Sequence, residues 1–336
     1  MGLYAPGSPE LWAAEGRLKF VCGLASAEDL LPIDNGKYLV ASSFDPNRAV
    51  GFYLVDTAEK TARPMTLAVA AELDAQFGRC PSAPDFNKIY THGIEVGPKR
   101  SGTTLLYAVN HGGRESVEVF RVNSRDHTAA WVGCIILPEE CFGNAVCRMR
   151  DGSLLITQFF DKRVGLPSND NPSVSGVVFH WTPEKGLAKV PGSEFSGDNG
   201  VLGSPDGKSV LVAAWATNEV WKIPLSGKGP RTSAKFDFRT DNLRWAPDGS
   251  ILVVGQSSPP PDSPVPPATP ASAASGPDLA EDWVFARLDP QTMASSVVLK
   301  MKGTASFGNA TSAVQVGKTV WFGTYGGDRI AYMETP

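Results

Sequence analysis

Six hairpin-like units recur along this chain of 336 residues, and they constrain its fold more than any other feature. Dipeptides that favour tight turns join pairs of apolar runs at 35–36, 151–152, 206–207 and 248–249. The tetrapeptide FGNA occurs twice, at 142–145 and at 307–310, each time before such a pair of runs. The six units begin at Glu28, His92, Asn144, Asn199, Asp241 and Asn309. Their spacing fits units of four short strands each.

Repeated four-stranded units around one axis predict an all-β fold, a six-bladed β-propeller. We expect a single domain over 1–336, since propellers of this length form one unit. Too little chain follows Tyr325 for a complete last blade, so an N-terminal strand around 18–21 is expected to close it. Only 60–80 is expected to be helical or irregular. A Pro/Ser/Ala-rich loop insertion at 258–280 is interpreted either as a solvated insertion or as a lid.

Charge and hydrophobicity argue against several classes of function. A net charge of −4 and a pI near 5.7 provide no basic surface for nucleic acid. No apolar stretch approaches the roughly 20 residues that a membrane-spanning helix needs. The first residues lack the pattern of a secretory signal, so a soluble, cytoplasmic protein that does not bind membranes is expected. The five cysteines include no CxxC pair and are expected to be reduced, buried thiols.

Side chains with oxygen donors recur where the units begin, and they include no thiol and no imidazole. They are Glu28, Asn144, Asn199, Asp241 and Asn242. One Asn or Asp before a strand usually caps a turn, but five at matching positions need another explanation. Two carboxylates and three amide carbonyls suit Ca²⁺ better than zinc or copper. The sequence therefore predicts a central metal site that holds one calcium ion.

The order of these motifs resembles the paraoxonase/arylesterase branch of the calcium-dependent six-bladed propellers, in the gluconolactonase and senescence marker protein superfamily. The resemblance spans nearly the whole chain. Its most specific parts are Glu28-Asp29, HGI at 92–94, VNH at 109–111, Asn199-Gly200 and Asp241-Asn242. It implies that calcium polarises a substrate carbonyl while His92 and His111 activate water. Imidazole suits this task because its pKa lies near neutral pH.

The resemblance also implies a second, structural calcium ion in that branch. The acidic residue after the first-blade Glu, the carbonyl of the HGI isoleucine and an Asp after the third-blade Asn would hold it. Asp29 and Ile94 match this set, but Ala145 stands at the third position, which puts the second ion in doubt. Asn309 repeats the context of Asn144, either as a sixth ligand or as a hydrogen-bonding residue behind the ligands. We favour the latter.

Aromatic residues fall in loops on the side where the units begin, and they are expected to line a substrate pocket. They are Phe44, Phe159, Phe160, Trp215 and Tyr325. His127 and His180 lack a matching context and are expected on the surface or in strands.

The leading hypothesis is a Ca²⁺-dependent hydrolase of small-molecule lactones or aryl esters. A sugar-acid lactonase is an alternative, since it would keep the metal without needing the histidine pair. A metal-dependent isomerase or lyase is another, because such enzymes also use polarised carbonyls. A non-enzymatic binding propeller is a further alternative, since a fold does not fix a function.

Overall fold

The computed structural model describes residues 16–78, 80–257 and 281–335. In these ranges the strands form six sheets, and the helices are two short 3-10 turns, Asp34–Gly36 and Trp215–Thr217. The described part of the chain has no helix with the length and apolar character needed to cross a membrane. The chain is thus an all-β, six-bladed propeller, which confirms the fold predicted from the repeated units. The predicted insertion at 258–280 lies outside the described residues.

The chain fills the blades in order, beginning with a strand that belongs to the last blade. That strand is β1 (Lys19–Cys22). Blade 1 then comprises β2 (Leu30–Ile33), β3 (Tyr38–Ser42), β4 (Phe52–Asp56) and β5 (Thr61–Pro64). Blade 2 comprises β6 (Thr66–Val69), β7 (Thr91–Arg100), β8 (Thr103–Asn110), β9 (Ser116–Asn123) and β10 (Thr128–Ile136). Blade 3 comprises β11 (Cys141–Arg148), β12 (Leu154–Asp161), β13 (Val177–Thr182) and β14 (Gly186–Lys189).

The remaining blades repeat the same arrangement. Blade 4 comprises β15 (Asp198–Gly203), β16 (Ser209–Ala214), β17 (Glu219–Pro224) and β18 (Thr232–Lys235). Blade 5 comprises β19 (Phe238–Trp245), β20 (Ile251–Ser257), β21 (Trp283–Leu288) and β22 (Ser295–Met301). Blade 6 comprises β23 (Ala310–Val316), β24 (Thr319–Thr324) and β25 (Arg329–Glu334) together with β1.

The first strands of the six blades surround a central channel. Strands β2, β7, β11, β15, β19 and β23 contact one another in that order, and β23 contacts β2 again. Later strands of each blade lie farther from the axis and pack between the neighbouring blades. Strand β12 illustrates the consequence, because its first seven residues are all buried. Residues at the start of each first strand therefore meet around one axis.

The ring closes as the sequence predicts. Strand β1 pairs antiparallel with β25, with Phe20 opposite Ala331 and Cys22 opposite Arg329. Blade 2 departs from the expectation, because β6 adds a fifth strand that runs parallel to β10. In the described residues of 60–80, β5 and β6 occupy much of the first half, which corrects the prediction there, whereas the second half is irregular, as predicted. Strands β5 and β6 pair at the outer edges of blades 1 and 2, a long-range contact with no periodic signal in the sequence.

Two cysteines form a disulfide bond, which corrects the prediction that all five are reduced. Cys80 and Cys134 are bonded with a Cα–Cα distance of 5.8 Å, and 54 residues separate them. The segment before β7 folds back over β10, and this contact brings the two thiols together. Cys22, Cys141 and Cys147 are free, as predicted. A disulfide is more typical of oxidising compartments than of the cytoplasm. The predicted cytoplasmic location therefore gains no support from the cysteines and stays a prediction.

Candidate active site

Bulges interrupt the first strands of blades 2 to 5 at the positions predicted to form the site. The strand registers shift at His92–Gly93, Asn144–Ala145, Asn199–Gly200 and Asp241–Asn242. A bulge inserts an extra residue into one strand, bends that strand and redirects its side chains. The predicted site residues of these four blades are therefore skipped in the regular strand pairing, and they lie at the same end of the channel.

Glycine follows the site residue in two of these bulges because the next blade approaches closely there. A Cβ atom at Gly93 would lie 2.4 Å from the carbonyl oxygen of Asn144, and one at Gly200 would lie 2.5 Å from the amide nitrogen of Leu243. Glycine has no Cβ, so it permits these contacts. The HG and NG dipeptides therefore allow the first strands of adjacent blades to meet near the axis.

The structure brings the five predicted calcium ligands together in the channel. Each of them is only 1% to 4% exposed. The Asn242 amide nitrogen donates to Glu28 Oε1 at 2.6 Å, which joins blade 5 to blade 1. Asn199 and Asp241 share a hydrogen bond between blades 4 and 5. The side chains therefore form two hydrogen-bonded pairs in a buried, polar region, and Asn144 from blade 3 approaches Glu28 through His92.

Four buried oxygens of this group have no hydrogen-bond partner among the described residues. They are Oε2 of Glu28 and Oδ1 of Asn144, Asn199 and Asn242. Such oxygens are costly to bury unless a donor or a cation satisfies them. All are hard ligands, so the residues present fit a calcium ion. The fit depends on amide oxygens, because residues 16–78, 80–257 and 281–335 contain no group of three His, Cys, Asp or Glu placed to hold a metal.

The electrostatic environment of the two carboxylates favours a cation between them. Burial, followed by the charges of Asp29 and Asp241, raises the pKa of Glu28 well above its usual range. Burial also raises the pKa of Asp241 to about 7, although hydrogen bonds from Gln256 and Asn199 act to lower it. A bound divalent cation would reverse this trend and stabilise both ionised carboxylates.

The two predicted catalytic histidines contact each other beside the ligand group. His92 lies in β7, His111 directly follows β8, and His92 Nδ1 is 3.0 Å from His111 Nε2. Nε2 of His92 lies 3.4 Å from the Asn144 amide nitrogen and 4.0 Å from Glu28 Oε1. Burial, followed by the effect of His111, lowers the pKa of His92 well below its usual range. His92 is therefore a neutral imidazole at the edge of the candidate metal site.

Glu115, which the sequence did not single out, extends this pair. Both of its carboxylate oxygens lie 3.0 Å from His111 Nδ1, and Lys162 Nζ lies 3.0 Å from its Oε1. Burial alone would raise the pKa of Glu115, but the hydrogen bonds and charges of His111 and Lys162 outweigh burial and lower it. Glu115 is therefore an ionised carboxylate behind the histidines. Its position four residues after His111 in a loop gave no periodic signal.

An ionised Glu115 fixes the proton on the facing nitrogen of His111, because a carboxylate only accepts hydrogen bonds. His111 Nδ1 therefore carries a proton and donates a hydrogen bond to Glu115. The hydrogen bond between His92 Nδ1 and His111 Nε2 can run in either direction, and the tautomer in which His92 donates leaves Nε2 of His92 unprotonated. In that tautomer Nε2 accepts from the Asn144 amide nitrogen, and the Asn144 oxygen is available as a ligand.

A second hydrogen-bond chain supports Asp241. Gln256 donates to Asp241 Oδ2 at 2.8 Å, and Trp215 Nε1 donates to Gln256 Oε1 at 3.1 Å. The guanidinium carbon of Arg239 lies 4.7 Å from the centre of the Trp215 ring, and Arg239 forms an ion pair with Glu281. Gln256 and Arg239 face each other across β19 and β20, a register that the sequence alone did not define.

Predicted pocket aromatics stack on the histidines, either directly or through one further ring. Phe44 stacks on His92 with ring centres 4.1 Å apart. Phe142, which the sequence did not single out, stacks on His111 at 4.1 Å and on Phe160 at 4.9 Å. These rings form an apolar aromatic wall beside the histidines. Their stacking limits the orientations available to both imidazoles.

The other predicted pocket residues extend this arrangement toward blades 4 to 6. Phe159 contacts Trp215 edge to face, with ring centres 5.6 Å apart. The Tyr325 hydroxyl donates to Glu281 Oε2 at 3.5 Å, the same carboxylate that pairs with Arg239. The surroundings of the site are thus mainly aromatic near the histidines and mixed aromatic and charged near Trp215.

The other predicted residues have partners outside the ligand group. Asn309 Oδ1 accepts a hydrogen bond from the Glu281 amide at 2.7 Å, so this oxygen is used by a backbone donor. His127 lies in a turn with a φ of 54°, and His180 is part of β13. Asp29 and Ile94 do meet, but the cation that they contact is the guanidinium of Arg244.

Solved structures share this fold, whereas no family model and no curated protein matches the sequence. A Xanthomonas campestris protein described as a gluconolactonase is 17% identical, with a TM-score of 0.59 over 98% of this chain and 94% of that chain. The calcium-binding protein regucalcin from Agrobacterium tumefaciens is 9% identical, with a TM-score of 0.53 over 93% of this chain and 90% of that chain. A catalytically inactive virginiamycin B lyase from Staphylococcus aureus, solved with quinupristin, is 12% identical, with a TM-score of 0.51 over 94% of this chain and 98% of that chain. At these identities the similarity shows that the chain shares their propeller fold.

Proposed function

We propose that this protein is a calcium-dependent hydrolase of lactones or aryl esters. One observation carries the proposal: buried oxygens without partners on Glu28, Asn144, Asn199 and Asn242 belong to a group of side chains that reaches Nε2 of His92, which lies 3.4 Å from the Asn144 amide nitrogen and 4.0 Å from Glu28 Oε1. A hard-cation site next to a neutral imidazole can supply both carbonyl polarisation and a general base for ester hydrolysis. The fold neighbour described as a gluconolactonase supports the choice of a lactone-type substrate.

The ion would be held by Glu28, Asn144, Asn199, Asp241 and Asn242. When bound, calcium supplies a positive charge that polarises the substrate carbonyl and stabilises the negative charge that develops on its oxygen. The residues around it limit the access of bulk water, because the ligand side chains are buried and the histidines stack on aromatic rings. Low local polarity strengthens the electrostatic contribution to catalysis.

His92 is the proposed general base. Its Nε2 takes a proton from the attacking water, the water oxygen bonds to the carbonyl carbon, and the ester C–O bond then breaks. The same Nε2 returns the proton to the departing oxygen. His111 accepts a hydrogen bond from His92 Nδ1 throughout, and Glu115 holds the His111 tautomer that makes this possible.

The aromatic wall favours a substrate with an aryl or alkyl group. Phe44 and Phe160 are apolar rings close to the histidines, and Phe142 stacks between His111 and Phe160. A sugar-acid lactonase remains the second candidate because Arg239, Glu281 and the Tyr325 hydroxyl provide polar groups near Trp215. A metal-dependent lyase or isomerase would use the same polarised carbonyl and the same base, so it stays an alternative.

The test measures hydrolysis of phenyl acetate, δ-valerolactone and gluconolactone by the wild-type protein with calcium and with EGTA. His92→Gln is expected to lower kcat by about 10² to 10⁴, the usual contribution of a general base, while calcium affinity stays unchanged. Glu115→Gln is expected to lower kcat by about 10- to 100-fold with little change in KM, because it acts through the His111 tautomer.

His180→Gln is the matched control, since this histidine lies in β13 away from the site. A wild-type protein that hydrolyses none of the three substrates in calcium would contradict the proposal. A twofold effect of His92→Gln together with a preference for gluconolactone would favour the sugar-acid lactonase instead.

A further inference from the structure

Arg244 crosses the channel at a second level, next to the candidate calcium site. It lies in β19 two residues after Asn242, and its side chain is buried. Nη2 of Arg244 forms an ion pair with the carboxylate of Asp29 and donates to the carbonyl oxygen of Ile94 at 3.0 Å. The Ile94 amide in turn donates to Asp29 Oδ2 at 2.9 Å. One guanidinium thus links blade 5 to blades 1 and 2.

The two oxygens that Arg244 contacts are of the kind that a hard cation binds. A carboxylate from blade 1 and a backbone carbonyl from blade 2 converge on a single positive group. Residue 145 belongs to the same neighbourhood, since a Cβ at Gly93 would lie 2.7 Å from the Cα of Ala145. Alanine contributes no side-chain oxygen. A metal ion at this level would face a like-charged guanidinium that already contacts both oxygens and also acts electrostatically on Glu95, so these residues do not fit a second ion.

We propose that Arg244 is a built-in cation that takes the place of a second calcium ion in this propeller. The protein then has one metal site, and the link between blades 1, 2 and 5 at the second level does not depend on calcium. This inference does not require the proposed hydrolase activity, because it concerns how the chain neutralises Asp29 and fixes its first strands.

The central experiment counts bound calcium ions by equilibrium dialysis and native mass spectrometry. The wild-type protein is expected to bind one ion, and the variant Arg244→Ala/Ala145→Asp is expected to bind one more than the wild type. In that variant the melting temperature should also rise by several degrees when the additional ion binds, a gain beyond any shift seen in the wild type. Arg287→Ala, which removes an arginine paired with Asp248 on the surface, is the control and should leave the count unchanged.

Asp29→Asn/Arg244→Gln removes both charges and keeps hydrogen-bonding groups. It tests the number of bound ions in a variant that leaves neither charge of the buried pair without its partner and is therefore expected to fold. Its ion count should equal that of the wild type. Two ions in the wild-type protein, or the loss of one ion in this neutral variant, would overturn the inference. A rebuilt variant that folds but gains no ion would overturn it as well. If the wild type binds no ion while the rebuilt variant binds one, the hydrolase proposal fails and the role of Arg244 stands.

Discussion

Glu28 and Asp29 are adjacent in sequence and both buried, yet they belong to two levels of the channel with opposite surroundings. Oε2 of Glu28 has no partner among the described residues. The carboxylate of Asp29 accepts from the backbone amides of Leu30 and Ile94, each at 2.9 Å, and pairs with Arg244. Burial of a carboxylate therefore does not identify a metal ligand. Glu28 and Asp29 differ instead in the donors that surround their oxygens.

The charges of the two levels differ in the same way. At the first level Glu28 and Asp241 accept hydrogen bonds from the neutral amides of Asn242 and Gln256. At the second level the guanidinium of Arg244 supplies a full positive charge. Among the described residues, neither Glu28 nor Asp241 forms an ion pair with a Lys or Arg side chain, whereas Asp29 at the second level is paired with Arg244, which also acts electrostatically on Glu95. Glu28 therefore serves the proposed function, whereas its neighbour Asp29 serves the stability of the fold.

The largest effect is expected from Asp29→Ala. This change leaves Arg244 buried without its anion, and breaking a buried pair in this way costs about 3 to 5 kcal/mol of the free energy of unfolding. Denaturant unfolding in calcium and in EGTA should show the same loss. Asp237→Ala, which breaks an exposed pair with Lys300, should change stability little. If calcium restored the stability of Asp29→Ala, the proposed division between the two levels would be wrong.

A smaller effect on stability, but a complete loss of activity, is expected from Asp241→Ala. Calcium at 100 times its dissociation constant stabilises a one-site protein by about 2.7 kcal/mol, and this gain should disappear in the variant. Melting curves with calcium and with EGTA should therefore coincide for Asp241→Ala and differ for the wild type. A variant that kept the calcium-dependent shift would remove Asp241 from the ligand set.

The fold and the residues of the first level could be predicted from the sequence because the sequence signals for both are local. Hairpin turns, the NG and DN dipeptides and the repeated FGNA all mark the starts of first strands, where the chain can be read residue by residue. The closing strand β1 followed from the shortage of chain after Tyr325. None of these inferences required knowledge of which side chains touch across blades.

The sequence missed the residues whose roles depend on contacts between blades or across a loop. Glu115, Gln256 and Phe142 act on residues elsewhere in the chain, and their own surroundings carry no pattern. Cys80 and Cys134 meet only because β6 and the segment after it fold over blade 2. Arg244 did leave a signal: alternation along β19 places it on the same inward side as Asn242, and an arginine there requires an anion.

The smallest effect is expected from Phe142→Leu, which tests how the aromatic wall serves the first level. Phe142 stacks on His111 and on Phe160. Aromatic pairs contribute about 0.5 to 1.5 kcal/mol beyond the area they bury, which corresponds to roughly 2- to 10-fold in kcat/KM. Phe195→Leu, which removes a ring stacked on Trp221 in blade 4, is the control.

The pattern across substrates decides what Phe142 does. If it lines the pocket, kcat/KM for phenyl acetate should fall while that for δ-valerolactone changes little, because only the former presents an aryl ring. If it mainly orients His111, both substrates should lose kcat by the same factor, since the base is shared by both reactions. Stability that falls as far as in Asp29→Ala would contradict both roles and would make the wall part of the structural support.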